Sequence, residues 1–315
     1  MNLNILQETL KNASPRSVRW AARALLKGSR KVRNRAQRLR GSTVDQAAII
    51  GALHRLGIRP GDILLVHSSL SRLGFVAGGV DAVVMALKEA VGVNGTLGAP
   101  TFWTVDPNAE EEDALFDAIR GKSRMGSISD RIRQLPGAAR SLHPTHSATF
   151  IGPFARELTA EHHRDDTPVG PHSPYRKLAA MNGKILLLGV TLEYLTSFHT
   201  IEDETAHFPC QIYNAERKRF RVLSPEGEEF SLYVRTHSAE TARLRQCIKM
   251  EPHLVAAGVM AKGRVGNGDA ILLDAKGLHE TLHRLCEQGI TIYAPEGHAV
   301  KCNPHQENSS DPGDN

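Results

Sequence analysis

The run Lys184 to Val190 (KILLLGV) constrains this chain more than any other stretch. Its apolar residues follow one another without alternation and stop at Gly189, the pattern of a strand covered on both faces. A strand buried on both sides requires a layer above and a layer below it, so the chain must bring other elements to both. Ile63 to Val66 (ILLV) repeats the pattern, and Gly95 to Phe102 reads as a third, shorter strand. In open sheets of this kind, ligand groups collect just beyond strand ends. His67, Ser68 and Ser69 follow the first strand, and the segment Thr191 to Glu204 (TLEYLTSFHTIEDE) follows the 184–190 run.

From Thr196 onward the pattern predicts a helix, on which Thr196, His199 and Glu202 fall along one side. A carboxylate beside an imidazole favours the imidazolium formed when a proton is taken, which makes a general base that works near neutral pH. The same spacing also describes a solvated surface pair. A carboxylate di-metal site would need a second Glu-x-x-His pair, and the sequence shows none.

The chain has 315 residues, 41% hydrophobic, enough for one large or two modest domains. It holds no apolar run long enough for a membrane span. Cys210, Cys247, Cys286 and Cys302 are scattered with no CxxC pair, which speaks against a zinc ribbon or a disulfide scaffold and suits a reducing cytoplasm. The net charge of +5 hides an asymmetry. Residues 1 to 40 carry eleven Lys and Arg against Glu8 alone, a surplus of ten, so the remainder is acidic by five. A basic arm on an acidic body does not describe a nucleic-acid-binding domain. The arm, with Trp20, Leu25 and Leu26 among its arginines, has the composition of a segment that touches an anionic membrane surface or a partner.

Punctuation along the chain defines further elements. Thr43-Val44-Asp45 offers caps for a helix through Leu56, which Gly57 stops. Gly74, Gly78 and Gly79 precede a helix from Val80 to Val91, and a glycine loop opening a helix suits phosphate, although the spacing is neither a P-loop nor GxGxxG. Ser173-Pro174 opens a helix to Ala180. Residues 218–223 and 229–234 read as a hairpin, 259–265 and 269–273 as strands around Gly266-Asn267-Gly268, and Ala275 to Gln288 as a closing helix. Pro144 separates His143 from His146 and directs both toward packing or hydrogen-bonding roles. The organisation expected is a basic extension over residues 1–41, a single domain over 42–302 and a disordered tail over 303–315.

Four blocks in order, VHSSLSRLGFVAGG (66–79), MGSISDRIRQLPGAARSLHPTHS (125–147), GPHSPYRKL (170–178) and LLLGVTLEYLTSFHTIEDE (186–204), resemble the aminoglycoside 3-N-acetyltransferase family, the antibiotic N-acetyltransferases. The resemblance spans about Gly41 to Gln288. It implies a three-layer α/β/α fold distinct from the GCN5-like one, acetyl-CoA as co-substrate, no metal, and a primary amine of an aminoglycoside or related amino sugar as acceptor. Carried over by position, His199 is the base, Glu202 its partner, and His67 lines the same cleft. Ser68, Ser69, Gly78, Gly79 and Ser173 cradle the CoA. Thr196 is a candidate oxyanion donor, and no cysteine has a partner base for an acyl-enzyme.

Asp165, Asp166, Asp203, Glu204 and the acidic run 110–117 permit a cationic acceptor. The expected location is the cytoplasm, with peripheral membrane contact through residues 1–40 as an option. Two other readings stand beside this one: a metal-dependent hydrolase built on His67, His143, His146 and His199, and a non-catalytic homologue that binds CoA.

Overall fold

The computed structural model describes residues 43–205 and 208–297. The expected basic extension over 1–41 and C-terminal tail over 303–315 lie outside the described residues. In chain order the first half runs β1 (Thr43–Val44), α1 (Gln46–Leu56), β2 (Ile63–Ser68), β3 (Phe75–Val76), α2 (Gly79–Val91), β4 (Thr96–Pro100), β5 (Leu115–Asp117), α3 (Ser127–Arg133), β6 (Ala139–Arg140) and β7 (Ala148–Ile151). The second runs α4 (Ala155–Thr159), α5 (Pro174–Ala180), β8 (Lys184–Leu188), β9 (Tyr213–Leu223), β10 (Glu229–His237), α6 (Ala239–Arg243), α7 (Glu251–Ala256), β11 (Met260–Val265), β12 (Gly268–Asp274) and α8 (Ala275–Glu287).

Seven strands form the main sheet in the order β11-β12-β8-β2-β4-β7-β6. Its centre is parallel, with β2 flanked by β8 and β4, and its outer pairings are antiparallel. The continuous apolar runs are these central strands, and their alternation sorts the core into two halves. Leu64, Val66, Leu186, Leu188 and Leu272 pack with α1, α2 and α3 on one face. Ile63, Leu65, Ile185, Leu187, Ile271 and Leu273 pack with α4, α5, α7, α8 and the segment Leu192–Ile201 on the other. Each fully buried aliphatic side chain contributes roughly 1.5–3 kcal/mol, so covering both faces of these strands holds the three layers together.

Local chemistry sets the element ends. Asp45, Ser173 and Asp274 cap α1, α5 and α8 by accepting backbone N–H bonds from Ala48, Arg176 and Gly277. In β4, Gly98 faces Phe150 of β7, whose ring atom lies 2.2 Å from where a Cβ would stand, so the register requires glycine.

A second, three-stranded sheet, β10-β9-β5, carries the predicted hairpin. Its parallel partner β5 comes from the acidic run, which the sequence pattern did not mark as a strand. Cys247 and Cys286 are buried free thiols, whereas Cys210 is disulfide-bonded, a pairing that the reading of a reducing cytoplasm did not anticipate. Among the described residues no helix is long and apolar enough to cross a membrane.

Candidate active site

Beyond β8 the chain turns at Gly189, whose φ of 72° is left-handed and where a Cβ would meet the Cβ of Arg72 at 2.8 Å. The expected α-helix from Thr196 is a 3-10 helix over Thr196–Ile201. The reason lies in the apolar residues Leu192, Leu195, Phe198 and Ile201, which recur every three positions and are all buried in the core of this face. Three residues per turn places i and i+3 one above the other. Thr196, His199 and Glu202 share that period one position later.

The geometry follows. The His199 Nδ1 and Glu202 Oε1 atoms are 2.6 Å apart, and Tyr293 donates its hydroxyl to the same oxygen at 2.8 Å. The Glu202 side chain is 1% exposed and that of His199 9%. Burial alone would raise the Glu202 carboxyl, but the charge and hydrogen bond of His199, with a smaller contribution from His237, outweigh it and hold the group down to about 2. Because Glu202 is ionised, the nitrogen facing it carries the proton, and the lone pair of neutral His199 resides on Nε2.

Other aromatic rings wall the dyad. The ring of His237, at the end of β10, lies 4.7 Å from His199, 5.4 Å from His146 and 5.2 Å from Tyr213. Burial lowers His237 to about 4, so it is neutral at pH 7. Among the described residues its Nε2, 3.8 Å from Glu202 Oε2, has no hydrogen-bond partner, nor has that oxygen.

His67 projects from β2 on the same face as Ile63 and Leu65, hence into the layer that holds the 196–201 turn. Burial lowers it to about 3, and its Nε2 is buried without a partner among the described residues. Ser68, the next residue, projects to the opposite face, where its hydroxyl is buried and unpartnered. Ser69 donates its backbone N–H to Leu188 and its hydroxyl lies 3.4 Å from that of Ser71. Gly78 and Gly79 are both left-handed and open α2, and space for a Cβ is clear at Gly79. Asp81 already places a negative charge in the first turn of α2, balanced by Arg131. Ser173 is fully buried at the start of α5, where its hydroxyl accepts from the backbone N–H of Arg176. Thr196 is half-buried at the start of the 3-10 helix.

Asp203, the residue after Glu202, lines a cavity of about 350 Å³. Arg164, Asp165, Asp166, Thr167, His172 and Arg235 also line it. Asp166 is paired with Arg217 and Arg235, and Asp165 with His172. Asp203 is held by the hydroxyls of Thr167 and Tyr213 and, among the described residues, by no cation. Burial, then the neighbouring carboxylates Glu202 and Asp166, push its carboxyl upward, although the two hydroxyls work against this. The 110–117 run does not line this cavity: Glu110 accepts from Thr104, Glu112 from the backbone of Arg219, and Asp117 from the backbone of Ile119 and Arg120.

As a metal cluster, His67, His143, His146 and His199 do not converge. Among the described residues His143 instead stacks on His162 at 4.5 Å. Donor atoms of His199, Glu202 and His237 do lie within 4.8 Å of one another. A 2.6 Å contact between two of them is nevertheless a proton-sharing distance, too short for neighbouring ligands of one ion.

The model of the family described as aminoglycoside 3-N-acetyltransferase matches residues 65–287. The chain belongs to this family. The acetyltransferase is 31% identical over 261 residues to aminoglycoside N(3)-acetyltransferase IX of Micromonospora chalcea, covering 75% of this chain and 90% of the relative. The crystal structure of aminoglycoside acetyltransferase AAC(3)-Xa superposes with a TM-score of 0.68 at 28% identity, over 80% of this chain and 96% of that one. AAC-VIa bound to sisomicin gives 0.65 at 27% identity, over 77% and 97%. The acetyltransferase is thus an acyltransferase of the antibiotic N-acetyltransferase fold. Sequence reasoning had located its His199–Glu202 pair but not His237, Tyr213 or Tyr293. Those three arrive from the hairpin and from beyond α8, and no local pattern marks them.

Proposed function

We propose that this enzyme transfers the acetyl group of acetyl-CoA directly to a primary amine of an aminoglycoside or related amino sugar. The observation that carries the reading is the buried His199–Glu202 contact, followed directly by Asp203, a cavity-lining carboxylate that among the described residues is bonded by hydroxyls and paired with no cation. His199 Nε2 takes a proton from the amine as its nitrogen attacks the thioester carbonyl. A C–N bond forms, the tetrahedral oxyanion collapses, the C–S bond breaks, and the thiolate of CoA leaves and is protonated by the imidazolium. Ionised Glu202 offsets the charge on His199 during the step, and Tyr293 fixes the carboxylate that does so. Thr196 at the start of the 3-10 helix is the candidate oxyanion donor. Ser68, Ser69, Gly78, Gly79 and Ser173 are the candidates for the CoA arm, and His67 for the cleft wall.

Asp203 gives the acceptor its first ammonium contact. A polycation needs an anion that is not already paired, and Asp203 differs in this from Asp165 and Asp166. Thiol release from acetyl-CoA, measured against a panel of aminoglycosides and simple amino sugars, tests the reading. Turnover with an aminoglycoside, and a KM for it about tenfold higher in Asp203→Asn with kcat nearly kept, is the expected result. Hydrolysis of acetyl-CoA at the same rate with and without every amine would overturn it.

A further inference from the structure

A second group of imidazoles and a carboxylate lies outside the machinery just described. His279 and His283 sit one turn apart on α8, and Glu204 follows the catalytic segment. The two Nε2 atoms each lie 3.2 Å from one oxygen, Oε2 of Glu204. The other oxygen, Oε1, accepts from Nε of Arg176. His279 is 10%, Glu204 26% and His283 33% exposed at the side chain, so the group is built into the fold but reachable from solvent.

The ring of His279 is held from behind by Thr200, whose hydroxyl oxygen lies 3.0 Å from its Nδ1 and 2.9 Å from the carbonyl of Ser197. With the proton on Nδ1, the lone pair of Nε2 is directed toward Oε2 of Glu204, and the donor atoms of the two imidazoles and the carboxylate all lie within 4.8 Å of one another.

We propose that His279, His283 and Glu204 form a binding site for a zinc-class divalent cation. Zn–N and Zn–O bonds of about 2.0–2.2 Å at a tetrahedral ion place neighbouring donor atoms about 3.3 Å apart. Both observed separations are close to that value, in contrast to the 2.6 Å of the His199–Glu202 contact. Two imidazoles and one carboxylate select zinc over magnesium or calcium, and the fourth position is left to water. Thr200 on Nδ1 of His279 and Arg176 on Oε1 of Glu204 orient the donors from behind, as outer partners of metal ligands do. The ion would join α8 to the end of the turn that carries His199 and so brace the catalytic segment from outside it.

The test uses the full-length, tag-free chain, stripped with a chelator and titrated with ZnCl₂ and, separately, CoCl₂. The expected result is one equivalent of Zn²⁺ by calorimetry, a rise in Tm with added metal, and a visible absorption band with Co²⁺. His283→Gln, at a half-exposed position that tolerates exchange, should weaken Zn²⁺ binding tenfold or more, whereas His199→Gln should leave it unchanged. Absence of a bound equivalent in the stripped wild-type protein would overturn the proposal. So would an equivalent lost in His199→Gln and kept in His283→Gln, which would move the metal to the dyad.

Discussion

Two groups of buried imidazoles in this enzyme have nearly the same solvent exposure and opposite chemical character. His143 stacks on His162 with ring centres 4.5 Å apart and planes 18° apart. Its Nδ1 pairs with the Thr145 hydroxyl, and burial lowers it to about 3. His162 is bonded by Ser141 and Pro168, again without a carboxylate. His199 is as deeply set but has Glu202 at 2.6 Å, a carboxylate that is itself held ionised. An imidazole surrounded by hydroxyls and carbonyls is a neutral packing group, whereas one with a fixed anion at Nδ1 can accept a proton at Nε2. On the proposed mechanism, one carboxylate, and not the depth of burial, separates the two roles.

The largest effect expected from breaking this contrast is on turnover. His199→Ala removes the proton acceptor and should lower kcat by about 10³-fold, within the span of general-base contributions, while CoA affinity by calorimetry stays within a few-fold. A loss below tenfold would mean that the amine finds another base, and the distinction between the two groups would fail.

Glu202→Gln makes His199 resemble His143 in charge environment while keeping an acceptor of similar size at Nδ1. A kcat reduced by roughly 10- to 100-fold, or about 1.4–2.7 kcal/mol of transition-state stabilisation, with little change in acceptor KM is the expected outcome. Steady-state kinetics at constant pH distinguishes this from a loss of binding. An unchanged kcat would show that the anion does not matter and that position alone makes His199 a base.

The contrast was partly legible in the sequence. Strands β2 and β8, the caps Asp45 and Ser173, and the 218–234 hairpin were readable because each depends on neighbours a few residues away. The His199–Glu202 spacing was readable too, although its helix type was not. The interval of three in Leu192, Leu195, Phe198 and Ile201 is a 3-10 period, and that signal was present but unused. Tyr293 on Glu202 and His237 beside His199 depend on how α8 and the hairpin fold back, which no local spacing encodes. The acidic run 110–117 likewise has its partners set by how the hairpin folds back. Its charge is spent within the small sheet, on Arg219 and backbone amides, and away from the cavity.

Acid titration of stability sharpens the comparison further. His67 and His143 are lowered to about 3 and His237 to about 4, against 6.5 in the unfolded chain. A group depressed on folding contributes stability that is complete above its unfolded value and is lost as pH falls toward its folded one. Between pH 6.5 and about 4, therefore, unfolding takes up protons at these rings, and each adds about 1.4 kcal/mol of destabilisation per pH unit. Denaturant midpoints should fall steeply from pH 7 to pH 5, and His237→Gln should remove one group's share of the slope. A flat profile over that interval would mean that these rings are already charged in the folded state, and that burial does not keep them neutral.

The smallest expected effect separates the packing imidazoles from the chemistry directly. His143→Phe keeps a flat ring against His162 and removes Nε2, which is buried without a partner, while giving up the bond to Thr145. Deleting an unsatisfied polar atom and losing one neutral hydrogen bond are opposed changes of about 1 kcal/mol each. The net shift in unfolding free energy should therefore stay within about 1 kcal/mol, and kcat within about twofold. If instead kcat falls as far as in His199→Ala while stability is retained, His143 belongs to the reaction. The stacked pair would then have to be read as part of the catalytic group, despite having no carboxylate.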